Sequence, residues 1–320
     1  MHRKKILILC DASYNVGLGH YSRSKILRRI ILNEIEKKYL IRIILISNKN
    51  IDHLNRNNII SYNKRLIKKI YIKINKFSPN IIFFNLSNFF EKKYFKKLIN
   101  KIYTKKIKFI GIDNLLQFKK YLSHIWIPNI AIDKNIYNKN VHFGWDRILV
   151  DKVKLKNKPK KDILFLIGGT DKYNLAKKIP INLDEKIQKN YKIAWIQGPF
   201  AKTPKINKKF RKNWKIYKNP KNVYNIIQSS KCCFVLFGAS FYEIVNSGVP
   251  LITYIPKGKE NQNLINKLKK KFLVETSLKI SLNKIALILN NYKKFKKLAA
   301  INKKLITLDQ RKKFLKNILN

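Results

Sequence analysis

The feature that most constrains this chain is a repeated alternation of short, fully apolar runs with longer amphipathic stretches. Strand-length runs fall at 5–10, 40–46, 80–85, 107–112 and 125–127, with helix-period stretches at 20–38, 64–76 and 89–104. The alternation restarts with apolar runs near 162–167, 191–197, 231–237 and 250–255, separated by helical patterns near 173–189, 220–229, 241–247, 260–271 and 281–292. Strands without a polar face are buried on both sides, and the helices between them are the crossovers that parallel pairing requires. The fold class expected is α/β, with two doubly wound, Rossmann-like domains. Between the halves, Asp151-Lys-Val-Lys-Leu-Lys-Asn-Lys-Pro-Lys-Lys161 is charged, holds a proline and lacks core periodicity, so it reads as a linker. The expected boundaries are an N-terminal domain over 1–153, a C-terminal domain over 160–300, and a helix over 301–320 that packs back on the first domain. Ligands of such sheets bind beyond the carboxyl ends of the strands, which places the expected site in a cleft between the two domains.

Composition narrows the function classes. With 45% apolar residues the chain can bury a core in each domain, and no apolar run is long enough to span a bilayer. Arg3, Lys4 and Lys5 precede a short apolar stretch that breaks at Asp11 without a small-residue cleavage site. It reads as the first strand of a cytoplasmic protein, not as a leader. Cys10, Cys232 and Cys233 lie in strand-like runs and read as reduced core thiols. The net charge of +54 invites a nucleic-acid reading, but only ten of the 71 basic residues are Arg, and Lys is spread evenly along the chain. Specific nucleic-acid sites gather basic residues on one face and favour Arg, so no specific nucleic-acid partner is expected. Background attraction to polyanions and peripheral contact with anionic membrane surfaces are expected.

Against this basic background each carboxylate at a strand end stands out. Asp11 follows the first strand, Asp113 follows Ile107–Ile112, and Asp171 follows Ile163–Thr170. Glu243 stands three residues after Ser240, just beyond the run 232–237, and Glu260 opens Glu260-Asn261-Gln262. Two turns carry phosphate-type features. Gly17-Leu18-Gly19-His20 joins the first strand to a helix, putting an imidazole beside helix N-terminal amides. Gly168-Gly169-Thr170-Asp171 repeats the strand, glycine, hydroxyl and helix order in the second half. Neither turn has the spacing of a dinucleotide fingerprint or a P-loop. Ser240 with Glu243 also fits a helix capping box, which is compatible with cradling a phosphate. His2 is in the N-terminal tail, and His53, His124 and His142 have no partner at metal-ligand spacing, so they read as structural or solvent-facing, and no cofactor is expected.

Asp11-Ala-Ser-Tyr-Asn-Val-Gly-Leu-Gly-His20, followed by Arg23, resembles the opening of the nucleotide-sugar hydrolases of pseudaminic acid biosynthesis. The resemblance continues through Ile112-Asp113-Asn114, His142-Phe-Gly-Trp-Asp-Arg-Ile-Leu149, Ile167-Gly-Gly-Thr-Asp171, Ser240-Phe-Tyr-Glu243, Gly248-Val-Pro250 and Glu260-Asn-Gln262. A weaker similarity extends to the lipid-linked N-acetylglucosaminyltransferases of cell-wall synthesis. The resemblance implies a glycosyltransferase-like architecture of the two-Rossmann, GT-B type and hydrolysis of a UDP-linked deoxy amino sugar. It implies His20 as general base, with Gly17, Gly19, Gly168, Gly169, Thr170, Ser240 and Glu243 holding the nucleotide and Asp11, Asn261 and Gln262 on the sugar side. It also implies that a basic cleft neutralises the diphosphate, so that no metal is expected. In that family the third strand ends in Asp-His-Tyr, whereas here Ile81–Phe84 runs into Asn85-Leu86-Ser87, so the acid and the tyrosine are both absent. Glycosyl transfer to a glycan or lipid acceptor is the alternative, and a non-catalytic basic binding protein is a second.

Overall fold

In the computed structural model the described residues are 3–13, 16–35, 39–48, 58–104, 106–113, 115–130, 139–152, 159–256 and 262–320. They form two compact units, Met1–Asp151 with Thr307–Asn320, and Lys152–Ile306. The chain thus leaves the first unit, completes the second, and returns for its last helix.

Unit 1 holds a parallel sheet of seven strands: β1 (Lys5–Asp11), β2 (Leu40–Ile46), β3 (Ile59–Ile60), β4 (Ile81–Asn85), β5 (Lys108–Ile112), β6 (His124–Ile127) and β7 (Val141–Phe143). Their order is β3-β2-β1-β4-β5-β6-β7. The order reverses between β1 and β4, which pair in parallel with Cys10 opposite Asn85. A doubly wound sheet opens a crevice at that reversal. β1 shows why the run is apolar throughout. Ile6 and Ile8 face a core shared with α1 (Gly19–Ile30), whereas Leu7 and Leu9 face one shared with α2 (Leu66–Phe77) and the helical stretch 88–102. That stretch is continuous, as its periodicity implies, but contains a π-helical turn at Glu91–Phe95.

Unit 2 holds six parallel strands: β8 (Lys161–Leu166), β9 (Ile193–Gln197), β10 (Trp214–Lys218), β11 (Ser230–Leu236), β12 (Leu251–Tyr254) and β13 (Leu273–Glu275), ordered β10-β9-β8-β11-β12-β13. Here the reversal lies between β8 and β11, with Leu166 opposite Val235. The helix expected over 173–189 is two, α3 (Leu175–Asn182) and α4 (Glu185–Asn190). Asp184 causes the break, because its carboxylate accepts from Lys186 N at 2.6 Å and caps the second helix. Next come α5 (Val223–Gln228), α6 (Ala239–Ser247), α7 (Gln262–Lys269), α8 (Leu278–Asn290) and α9 (Tyr292–Lys303). α10 (Leu308–Leu319) closes the chain in unit 1, burying Phe314, Leu315, Ile318 and Leu319 in the same core as Ile6 and Ile8. Arg311 of α10 is 1% exposed, donates to the Val150 carbonyl at 2.5 Å and pairs with Glu34 at 3.2 Å.

Candidate active site

Two strand-end turns carry the expected chemistry, one in each unit and each at the reversal of its sheet. In unit 1, Gly17 has φ +76° and closes a tight loop by donating to the Ser13 carbonyl at 2.8 Å. That conformation is one glycine adopts without strain. Gly19 opens α1, and a Cβ there would meet open space. The first-turn amides of a helix have no intrahelical acceptors, so positive potential gathers at this point. His20 follows, buried to 9% exposure.

What orients His20 is Asn85 at the end of β4. Asn85 Nδ2 donates to the His20 carbonyl at 2.7 Å and to Ser24 Oγ at 3.0 Å. A carbonyl can only accept, so the amide cannot be turned over. Its Oδ1 therefore faces His20 Nδ1, at 2.9 Å, and accepts a hydrogen bond from the Nδ1–H tautomer. With Nδ1 protonated, the lone pair of the neutral ring sits on Nε2. Arg23 Nη2 lies 3.0 Å from the same Nδ1 and donates to Asp113 Oδ2 at 2.7 Å. It acts on the ring through its charge, since a protonated Nδ1 offers no lone pair. Burial first, then Arg23, hold His20 below the usual histidine pKa, with Asp113, Asp11 and the Asn85 hydrogen bond opposing. Burial pushes the Asp113 carboxyl up, but Arg23 outweighs it and the group stays below the ordinary carboxylate value. Asp113 itself has φ +77°, an uncommon conformation for a residue with a side chain.

Asp11, expected on the sugar side, is fully buried, and both of its oxygens are engaged. It accepts from Ser87 N at 2.8 Å, from the Ser87 hydroxyl, and from the Tyr62 hydroxyl at 3.0 Å. It braces the turn after β4 and presents no atom to solvent. The Asn85-Leu86-Ser87 segment that departs from the family pattern is thus an integrated part of this rim.

In unit 2 the turn is made of backbone. Gly168 has φ +92° and a Cβ there would meet nothing within 4 Å. Thr170 bridges to Phe200, and Phe200 N donates to the Gly169 carbonyl at 3.1 Å. Gly198 makes this possible, because a Cβ on it would lie 2.6 Å from Gly169 Cα. Asp171 is buried and accepts from Leu175 N at 2.6 Å and Ala176 N at 3.2 Å, so its work is to cap α3. Across the sheet reversal, Gly238 precedes α6, again facing open space. The capping box expected for Ser240 and Glu243 does not form. Gly238 is the cap residue, so Ser240 falls inside the first turn and no side chain caps the helix. Partly exposed Ser240 and Glu243 share this helix, and Glu243 already has partners of its own.

Gln262 opens α7, exposed, with Nε2 donating to Asn266 Oδ1 at 3.1 Å. Asn261 and Glu260 lie outside the described residues, as do His2 and His53. His124 and His142, which lack metal-ligand spacing in the sequence, meet across β6 and β7 with Nδ1 to Nε2 at 3.2 Å. Burial and neighbouring cations lower both pKa values, His142 to about 4. Among the described residues no group of three or more His, Cys, Asp or Glu could hold a metal, and no helix is long and apolar enough to cross a membrane. The three cysteines are free and buried. Sequence reasoning missed Tyr62 and Gly198, and it read Asn85 and Ser87 only as a departure from the family pattern. Asn85 had a signal, as the one polar residue closing an otherwise apolar strand.

No family model matches the chain. A sequence relative, an uncharacterised protein of Methanocaldococcus jannaschii, is 26% identical over an alignment of 288 residues. The match takes in 78% of this chain and spans 55% of that protein's length. Among solved structures, a UDP-glucosyltransferase from Polygonum tinctorium superposes with TM-score 0.64 at 9% identity, covering 98% of this chain and 97% of that one. MurG of Acinetobacter baumannii gives 0.59 at 10% identity with 99% of each chain covered. A UDP-GlcNAc 2-epimerase from Neisseria meningitidis gives 0.58 at 11% identity, covering 98% and 99%. At these identities the likeness is one of fold. With its two parallel-sheet α/β units, this chain has the GT-B fold.

Proposed function

We propose that this chain is an enzyme acting on a UDP-sugar, with His20 taking a proton from the nucleophile as the anomeric carbon–oxygen bond to UDP breaks. The observation that carries this reading is the Asn85 amide, which leaves the His20 Nε2 lone pair free on a neutral ring. A base must be unprotonated before it can act, and burial beside Arg23 keeps this imidazole so into mildly acidic conditions. The glycine turn at 168–169, Thr170 and the start of α6 supply backbone donors for the charge that grows on the departing diphosphate. Glu243 accepts from ribose hydroxyls, Ser240 lies by the phosphates, and Asn261 and Gln262 serve the sugar. Gly17 and Gly19 keep the backbone at the start of α1 bare beside the base. Asp11 acts one step back, holding Ser87 and the turn that follows Asn85.

Water is the preferred nucleophile, and the substrate class is a UDP-linked deoxy amino sugar of nonulosonic acid or surface-glycan biosynthesis. The support is the run of motifs shared with the pseudaminic acid hydrolases. Glycosyl transfer is the second reading, favoured by a specific feature of the unit 1 rim. Phe89, 52% exposed, packs edge-on to Tyr62, and Tyr62 donates to Asp11. An exposed ring next to the site gives an organic acceptor a surface that water does not need. Incubation with a panel of UDP-sugars, with and without glycan and lipid acceptors, tests both. UDP release without acceptor supports hydrolysis, release only with acceptor establishes transfer, and no release under any condition sinks the enzymatic reading.

A further inference from the structure

Unit 2 carries a second surface that the rim chemistry does not use. Of the residues of α9, only Asn302 is buried. Its outward side includes Leu298, 41% exposed, and Ile301, 61% exposed, along with exposed Lys294 and Lys297. At 3.6 residues per turn these four share an arc of about 100°. A helix that meets only water places polar residues there, and two aliphatic side chains among lysines are the pattern of a helix lying on an interface. Charge reinforces it, because α9 carries Lys293, Lys294, Lys296, Lys297 and Lys303 and no acidic residue. Beside α9 lies a shallow, open apolar hollow lined by Val249, Leu251, Phe272, Phe295 and Leu298, with exposed Lys271 at its edge. Leu251 opens β12, so the hollow is at the amino end of this sheet, opposite the glycine turn that follows β8.

We propose that α9 and the hollow beside it form a docking surface for an anionic phospholipid membrane. Leu298 and Ile301 enter the boundary between headgroups and acyl chains, while the lysine stems lie along it and their ammonium groups meet lipid phosphates. A second copy of the chain fits less well, since a self-complementary contact would press the two lysine sets together. A nucleic acid fits less well too, since the arc has no arginine fork and no exposed ring to stack on. The proposal is independent of the rim chemistry.

Its test uses the full chain with a nitrobenzoxadiazole label at Leu298→Cys, the native cysteines being buried. Control labels go at Ile72→Cys on α2 and Ile181→Cys on α3, where the native residues are 52% and 66% exposed. With phosphatidylcholine vesicles containing about 30% phosphatidylglycerol, the label at 298 brightens and shifts blue, the control labels do not, and pure phosphatidylcholine has no effect. In sedimentation with the same vesicles, Leu298→Ser with Ile301→Ser lowers affinity roughly tenfold although every lysine is kept. A silent label at 298, or a double variant that binds like the parent, would overturn the proposal and leave only general adhesion by a basic protein. An RNA that shifts the label as strongly as vesicles do, or a shift with protein concentration alone, would overturn it in favour of a nucleic-acid or self-association surface.

Discussion

The two rims have the same topology and opposite construction. In unit 1 the rim is held by side chains: Asn85, Arg23 and Asp113 gather at His20, and Ser87 and Tyr62 gather at Asp11. In unit 2 the turn after β8 is held by backbone, with Gly198 pressed against Gly169 where no Cβ fits, Gly168 at positive φ, and the start of α6 at Gly238 free of a side-chain cap. A network of buried polar groups fixes one tautomer and one proton position, which suits chemistry. A glycine turn and bare amides offer several donors of fixed direction, which suits holding an anion. In the proposed function the first rim carries proton transfer and the second holds the diphosphate, and each half of that proposal can be broken separately.

The largest effect is expected at His20. In His20→Ala, turnover falls by about two to four orders of magnitude, while UDP affinity stays within several-fold of the parent. Calorimetry with UDP and steady-state rates on one preparation check this. Parallel loss of both would move diphosphate binding onto the first rim and erase the contrast.

Next comes Asn85, whose substitution tests how the base is held. Asn85→Leu removes the acceptor that selects the Nδ1–H tautomer, and turnover falls about 10- to 100-fold. Asn85→Asp puts a carboxylate there instead. A negative charge favours imidazolium, so the His20 pKa rises and the acidic limb of the rate profile moves to higher pH. The parent keeps activity to lower pH because its folded pKa lies below the usual value. Histidine titration followed by NMR in both proteins checks the direction, and a His20 pKa that rises while the limb stays put would show that His20 is not the base.

How far the sequence disclosed this site differs between the rims for a physical reason. The alternation of apolar runs revealed both sheets, because a strand buried on two faces has no other composition open to it. Gly168, Gly169 and Thr170 were legible too, since a glycine pair after a strand has few uses besides a tight turn. The network around His20 was only half legible. Its members lie at positions 11, 20, 23, 62, 85, 87 and 113, brought together by sheet order, which periodicity does not encode. Short edge strands such as β3 and β13 were missed because two or three residues carry no period. The capping box at Ser240 misled because the chain enters α6 two residues earlier, at Gly238, which leaves no local mark in composition.

The second rim is tested first at its packing. Gly198→Ala would put a methyl 2.6 Å from Gly169 Cα, and because the obstacle is backbone, the turn itself must move. Overpacking of this kind costs about 1–3 kcal/mol. A lower Tm with weakened UDP binding and an unchanged pH profile is expected. If the pH profile shifted as well, the two rims would be coupled, not independent.

Glu243→Ala follows, lowering UDP affinity by roughly 1–3 kcal/mol through hydroxyls left without an acceptor. Unchanged affinity in calorimetry, with an intact fold, would remove Glu243 from the nucleotide site.

The smallest effect decides what Ser240 does. As the cap of a capping box its loss would cost about 1 kcal/mol of stability. In this structure Ser240 is inside the first turn of α6 and Gly238 is the cap residue, so Ser240→Ala should leave stability within about 0.5 kcal/mol of the parent. If the hydroxyl meets a phosphate, UDP affinity falls by about 0.5–1.5 kcal/mol at the same time. Chemical denaturation and UDP titration of this one variant separate the outcomes. Lost affinity with kept stability makes Ser240 a side-chain contribution to a rim otherwise built from backbone. Lost stability with kept affinity would restore the capping box and shift the start of α6.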